Sequence, residues 1–363
     1  MTNQPRRRRI LYVGNMGEGN TSMYRFHAFE RLGQDVSAFD PADFEPSSAL
    51  LSKIRFRLPV GPLISAVNRG LLKAVQEAQP EIVWMDKPTT FTPATMRKIK
   101  RTGALTVCYN QDNPFGPRHD PGWMQFYNIY RMFDLHCLLR YSDVPRYEAW
   151  GLPYIKVLLS FDPLMHFPPP PEWTGADRIH DLSYTGSPYE DRPQFLRILA
   201  EQYGLPVSVA GPNWNKVFTP ALMRKYCVAG MLKDAAYREN IWRSKINIAF
   251  ITLKNEEDVS HKAFEIAACG GFLLALRSPG HLACFEEDKE AVFFSSIKEC
   301  AEKAQYYLQH QELRQAIAAR GRERALLSGY DNDTQLAGAL LRLEEIEAGG
   351  SAHAATDRRP ASV

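Results

Sequence analysis

Short unbroken apolar runs, rich in Val, Ile and Leu, recur along this chain, and helix-length segments separate most of them. Six fall in the first 160 residues: RILYVGN (9–15), DVSAFD (35–40), EIVWMD (81–86), ALTVCYN (104–110), FDLHCLL (133–139) and YIKVLLS (154–160). A strand that is apolar on both sides must be covered on both faces. Parallel neighbours also need a long crossover between them, usually a helix. The pattern therefore predicts a doubly wound, Rossmann-like α/β domain. The rhythm stops at FDPLMHFPPPPEWTGAD (161–177), where Pro168 to Pro171 can continue neither a helix nor a central strand. A second series follows: HDLSYTG (180–186), PVSVAG (206–211), KINIAFIT (245–252), GFLLAL (271–276) and AVFFSS (291–296).

The expected organisation is a Rossmann-like domain over 1–165, a proline-rich linker over 166–178 and a second Rossmann-like domain over 179–330. A helix over 331–348 would pack back on the first domain, and 349–363 is small, polar and expected to be disordered. Ligands of open α/β sheets bind beyond the carboxyl ends of the strands, so a cleft between two such domains is the expected site.

Bulk properties exclude several classes. A net charge of +3 on 363 residues does not describe a dedicated nucleic-acid binder. The basic run Arg6, Arg7, Arg8 and Arg9 could touch acidic lipid head groups or be a solvated tail. Six scattered cysteines without a C-x-x-C pair fit reduced thiols rather than a zinc site. There is no apolar leader and no eighteen-residue apolar window, so the expected location is cytoplasmic, with peripheral membrane contact through residues 6–9 left open.

The segment SHKAFEIAACGGFLLAL (260–276) carries the most chemistry. Ser260 is a good N-cap, so a helix should begin there, yet His261 and Lys262 come next. A lysine in the first turn opposes the helix dipole unless an anion docks beside it. Lys262 and Glu265 share a helical face. They could hold a phosphate and the vicinal hydroxyls of a ribose, or form a surface pair. SYTGSPYEDRP (183–193) repeats the theme. Gly186 and Ser187 end a strand where backbone N–H groups can approach a phosphate, and Arg192 opens the next helix. Arg192 could equally pair with Glu190 or Asp191. Gly211 ends another strand, and Trp214 could stack on a base or pack. The glycine-rich loop holding Gly14, Gly17 and Gly19 fits neither the dinucleotide fingerprint nor a P-loop. Asp112, just past a strand, is a candidate general base or acceptor-orienting carboxylate, with an Asx turn as the competing explanation. Asp331-Asn332-Asp333 fits the letters of a D-x-D metal motif but stands at a helix start, where aspartates cap, so no metal site is expected.

HKAFEIAACGGFLLAL resembles the nucleotide-sugar motif of GT-B glycosyltransferases of the CgeB-like, spore-maturation-protein type, in which R-x-F-E leads into acGgfll. The resemblance extends through DLSYTGSPYEDRPQFLRIL, VAGPNW, YRENIWRSKINIAF and the stretch AVFFSSIKECAEKAQYYLQHQELRQAIAARGRERAL, most of residues 180–335. It departs at Lys262, where the family has arginine and could make a bidentate phosphate contact. The first half resembles the family only in its strand–helix rhythm. The resemblance implies a GT-B hexosyltransferase-like enzyme with no cofactor, using a nucleoside-diphosphate sugar as donor and a glycan, lipid-linked or other small acceptor. Glu265 would take the ribose and Lys262 the diphosphate, with Gly186, Ser187, Gly211, Ser260 and His261 around the donor. Glu257 and Glu265 match the E-x7-E spacing of retaining GT-B enzymes, although Glu257 could be loop charge. Gly17, Arg25, Arg118 and His119 would face the acceptor. Lys262 and Arg192 would stabilise the leaving diphosphate without metal, with Asp112 acting on the acceptor. Two other readings stay open: a GT-B-fold sugar-nucleotide epimerase, and a non-catalytic nucleotide-sugar-binding protein.

Overall fold

A computed structural model of the protein describes residues 4–116 and 121–349. Every expected apolar run forms a strand. In the first series these are β1 (Arg9–Val13), β2 (Asp35–Phe39), β3 (Ile82–Asp86), β4 (Leu105–Tyr109), β5 (Leu135–Leu138) and β6 (Tyr154–Lys156). In the second they are β7 (His180–Thr185), β8 (Val207–Ala210), β10 (Ser244–Ala249), β11 (Leu273–Leu276) and β12 (Val292–Phe294). One further strand, β9 (Cys227–Ala229), has no counterpart among those runs. It is three residues long, pairs with β8 at the sheet edge and leaves Val228 exposed, so no apolar run announces it.

The chain forms two compact units. Among the described residues the first comprises 4–158, 254–256 and 332–349, and the second comprises 159–253 and 257–331. The first unit holds a parallel six-stranded sheet in the order β2-β1-β3-β4-β5-β6. Its core packs Leu11, Val13, Val83 and Met85 of the strands with Val67, Leu71, Met96 and Ile99 of the helices. The second unit holds a parallel sheet in the order β12-β11-β10-β7-β8-β9. There Leu182, Tyr184, Ile246, Ile248 and Leu274 meet Leu196, Leu199, Ala304 and Ile317. In each sheet the order of connection reverses once, between β1 and β3 and between β7 and β10. These are the topological switch points at which such sheets leave a crevice.

The basic run does not stand free as a tail. Arg8 is 3% exposed and pairs with Glu347, its main-chain N–H donating to Gln34. Arg6 donates to Glu344 and pairs with Glu347, and Arg9 donates to Glu81 and to the Gln79 carbonyl. Glu344 and Glu347 lie on the helix Asn332–Glu347, which packs on the helix Thr21–Arg31 of the same unit. Arg6 and Arg8 thus hold the start of the first strand to the last helix, and Arg9 is bonded to the segment just before β3. Asp333 lies in the first turn of that helix and pairs with Arg31 at 2.5 Å. The proline run lies in the second unit. There Phe167 receives the Trp242 indole N–H on its carbonyl, and the Arg238 guanidinium over its ring, 4.0 Å from the centroid.

Helix packing makes a prediction with two signs. A Cβ at Gly321, in the helix Gln311–Leu327, would stand 2.3 Å from the Glu290 carbonyl oxygen. At Gly338 the nearest atom would be Ile155 Cδ1 at 3.9 Å. Gly338→Ala should raise stability by up to about 1 kcal/mol through helix propensity. Gly321→Ala should lower it by about 1–3 kcal/mol through overpacking. Urea unfolding of both variants checks the opposition.

Candidate functional site

The β7–β10 switch point of the second unit gathers the residues singled out in the sequence. Gly186 follows β7 with φ +158° and Gly211 follows β8 with φ +140°, a conformation that side-chained residues rarely adopt. Their backbones are in contact: a Cβ on Gly211 would lie 2.2 Å from the Gly186 oxygen. A Cβ on Gly186 would lie 2.6 Å from the Tyr184 hydroxyl and 3.2 Å from Lys262 Cε. The lysine therefore reaches across to the strand-end glycine, and among the described residues it has no ion-pair partner. Ser187 accepts the Tyr184 hydroxyl on its carbonyl at 3.0 Å.

The helix His261–Ala268 begins after Ser260, which takes the N-cap position with extended backbone. Its hydroxyl makes no capping bond. Instead its N–H donates to Nε2 of His281, 3.1 Å away. His281 is fully buried, stacks on Phe293 and donates from Nδ1 to the Leu276 carbonyl. The first turn of the helix His261–Ala268 is thus left without a side-chain cap, a state compatible with an anion as partner.

Glu265, one turn on, is 7% exposed. Tyr237 donates to its Oε2 at 2.6 Å, while His261 Nε2 and His166 Nε2 stand 3.4 and 3.6 Å from its Oε1. His166 Nδ1 accepts the Asp162 N–H, which leaves the proton on Nε2, facing the carboxylate. Burial alone would push the Glu265 carboxyl up, but His261, His166, Lys262 and the Tyr237 hydroxyl outweigh it and hold it at about 2. His261 also donates to the Ser160 carbonyl at 2.9 Å. Glu257 accepts the Thr252 N–H at 2.7 Å and so braces the turn after β10.

Arg192 opens the helix Arg192–Glu201 but does not pair with Glu190 or Asp191. Its guanidinium is buried and donates to the Tyr184 hydroxyl, the Ile251 carbonyl and the Thr252 hydroxyl, tying the ends of β7 and β10 together. None of these partners is a carboxylate, so the positive charge at the switch point is not cancelled by a bonded anion, and its Nε has no partner. Trp214 is 1% exposed, packs on Phe218 and donates to the Gly186 carbonyl; it is core and not a base-stacking platform.

The first unit has a cavity of about 340 Å³ at its own switch point, lined among others by Gly14, Asn15, Arg25, Asp86, Tyr109 and Gln111. Arg25 is buried against Asp86, which also accepts Tyr12 at 2.6 Å, Ser22 at 2.9 Å and the Trp84 indole at 3.2 Å. Burial would lower the Arg25 guanidinium, but Asp86 and the tyrosines Tyr12 and Tyr109 keep it above its ordinary value. Its planar group lies 4.4 Å from the Tyr109 ring centroid. Lys87 follows in the left-handed region, φ +45°, a strained position of the kind found at functional sites. It pairs at 2.5 Å with Asp112, which is half-buried on the loop after β4, and Asn113 makes the Asx turn by accepting the Phe115 N–H. Gly17 sits in a surface turn held by Asn15 and Asn20 and does not line the cavity. Arg118 and His119 lie outside the described residues.

Sequence reasoning missed the partners that give these groups their charge state. Tyr237, His166 and His281 lie 16 to 99 residues from Glu265 and form no motif with it. Asp86 was visible in principle, as the acidic residue at the carboxyl end of EIVWMD.

Residues 192–340 match the family described as glycosyl transferase-like. No curated protein sequence matches the chain significantly. Sucrose-phosphate synthase from Thermosynechococcus elongatus superposes with a TM-score of 0.67 at 11% identity, over 94% of this chain and 100% of that one. HepE of Anabaena, in complex with UDP-glucose, gives 0.63 at 11% identity, over 94% and 100%. A UDP-N-acetylglucosamine 2-epimerase from Listeria monocytogenes, so named provisionally, gives 0.57 at 13%, over 99% and 100%. The chain has the GT-B fold, and the match to the glycosyl transferase-like family lies in its region 192–340. Among the described residues no helix is long and apolar enough to cross a membrane.

The loop before Lys262 should be acid-sensitive. Burial pulls the His281 imidazole down to about 4, against the Leu276 hydrogen bond, which on its own would raise it. Unfolded histidine titrates near 6.5, so the native state binds fewer protons between the two values. The stability that neutral His281 supports is complete above about pH 6.5 and is lost as pH falls towards 4. Urea unfolding should show the stability gap between wild type and His281→Gln shrinking by about 2 kcal/mol from pH 7 to pH 5. A constant gap would contradict the assignment.

Proposed function

We propose that the protein is a glycosyltransferase that moves a hexosyl group from a nucleoside-diphosphate donor to a hydroxylated acceptor. The second unit takes the donor and the cavity of the first unit takes the acceptor. The observation that carries this reading is Lys262 lying without an ion-pair partner beside Gly186, one helical turn from a buried, ionised Glu265. A diphosphate at Gly186 and Ser187 would meet the lysine and the uncapped helix end together. Glu265 keeps acceptor capacity beyond Tyr237 and the two histidines, which suits the vicinal hydroxyls of a ribose. His261 and Ser260 place that helix, while Gly211 and Glu257 shape the strand ends around it. The resemblance to the CgeB-like type is the reason for preferring transfer to epimerisation.

Breaking the sugar–phosphate bond builds negative charge on the departing diphosphate. Lys262, the helix N-terminus and the buried charge of Arg192 would stabilise it in a site of low dielectric, which describes a metal-independent enzyme. Asp112 is the carboxylate we assign to orient the acceptor, with its Lys87 partner on the cavity wall, and Arg25 supports that wall through Asp86.

Calorimetry of UDP, GDP, ADP, CMP and dTDP in the presence of a chelator tests the donor half. One of them should bind, and Lys262→Ala and Glu265→Ala should each weaken it by about 1–3 kcal/mol, the range for charge-assisted hydrogen bonds. Asp112→Asn should leave that affinity unchanged and lower transfer by about a hundredfold or more, the usual scale for loss of a carboxylate acting as general base on the acceptor. Binding that needs added magnesium, or that ignores both substitutions, would overturn the reading. Turnover of the donor sugar to its epimer without an acceptor would favour the epimerase.

A further inference from the structure

Residues 50–60 of the first unit reverse the ordinary partition of side chains. On and after the helix Ala49–Arg57, Leu50, Leu51, Ile54, Phe56, Leu58 and Val60 are all between 47% and 67% exposed. The arginine among them, Arg55, is turned inward: it is 7% exposed, pairs with Glu45 at 2.5 Å and lines the cavity. The segment is also held from beneath. Gln125 donates to the Pro59 carbonyl at 2.7 Å and Ser52 to the Pro46 carbonyl at 3.3 Å. An anchored segment that points its apolar side chains at solvent is an interaction surface.

Charge identifies what it meets. Residues 46–76 contain five basic residues and no acidic one. Arg55 and Lys73 are paired with Glu45 and Glu77. Lys53, Arg57 and Arg69 are exposed and have no carboxylate partner among the described residues. On the helix Ala49–Arg57, Leu50, Leu51 and Ile54 share one face and Lys53 and Arg57 form the adjacent stripe. An apolar strip beside a basic strip matches a bilayer interface with anionic head groups, where the first inserts and the second meets phosphate. A second copy of the chain is a poorer occupant, because a two-fold contact would set Lys53 and Arg57 against their own like charges.

We propose that this face docks on an anionic phospholipid membrane. The contact is assigned to residues 50–60 rather than to residues 6–9, where Arg6, Arg8 and Arg9 have carboxylate partners, and it does not depend on the donor reading. Flotation of the full chain with vesicles of phosphatidylcholine, alone or mixed with phosphatidylglycerol, tests it. The chain should float with the mixed vesicles, and added salt should weaken the binding. Lys53→Gln with Arg57→Gln should weaken it about 25-fold, about fivefold for each cation. Leu51→Gln with Ile54→Gln should abolish flotation, and Arg7→Gln should not. All the substituted side chains are exposed, so melting temperatures should match the wild type, and circular dichroism checks this. The proposal is overturned if the wild type does not float or if the Lys53/Arg57 variant floats equally well. It is also overturned if the chain sediments as a dimer that the Leu51/Ile54 variant makes monomeric.

Discussion

A parallel sheet covered by helices on both faces leaves only its strand ends open to chemistry, and only where the connection order reverses does a crevice form there. This constraint acts twice in the chain. In the second unit the reversal between β7 and β10 brings together Gly186, Arg192, Thr252 and, from the next helix, Lys262. In the first, the reversal between β1 and β3 brings together Gly14, Arg25 and Asp86. The two places are built alike in topology and oppositely in charge. Arg25 is neutralised by a buried carboxylate, whereas Arg192 is bonded only to neutral oxygens. A buried guanidinium without a carboxylate is costly to the fold. Its position at the switch point makes sense if a bound anion recovers that cost.

Glu265 is the complementary case. A carboxylate that is 7% exposed would ordinarily be neutral, but two imidazoles, a lysine and a phenol hold it ionised. The same bonds fix its side chain before any ligand arrives. Preorganisation of this kind lets hydrogen bonds to a ligand contribute to affinity without a further ordering cost.

Much of this architecture is legible in the sequence because short apolar-rich runs at helix-length intervals signal covered parallel strands. Eleven of the twelve strands fall in such runs, although the edge strand β2 is buried only at Phe39. The edge strand β9 falls in none, being short and half exposed. At the site, the misplaced charge of Lys262 was readable, since a lysine in a first helical turn conflicts with the dipole whatever the tertiary structure. Ser260 looked like a cap but is bonded through its N–H to a histidine 21 residues away. The run at residues 6–9 reads as a solvated or lipid-facing tail because the partners of Arg6 and Arg8, Glu344 and Glu347, lie at the other end of the chain. Local pattern shows which backbone forms. Partners brought together by the fold decide which charges stay free.

The most direct test of the donor site pairs Glu265 with the ribose it is assigned to hold. It compares the affinity of the tightest-binding nucleoside diphosphate with that of its 2′-deoxy form, in wild type and in Glu265→Gln. If the carboxylate accepts the 2′-hydroxyl, the wild type should lose about tenfold on deoxygenation and the variant should lose less than about twofold, because the two changes remove the same bond. If the losses multiply, or the wild type does not discriminate, Glu265 serves only to hold His166, His261 and Tyr237 in place, and the account of the site is wrong.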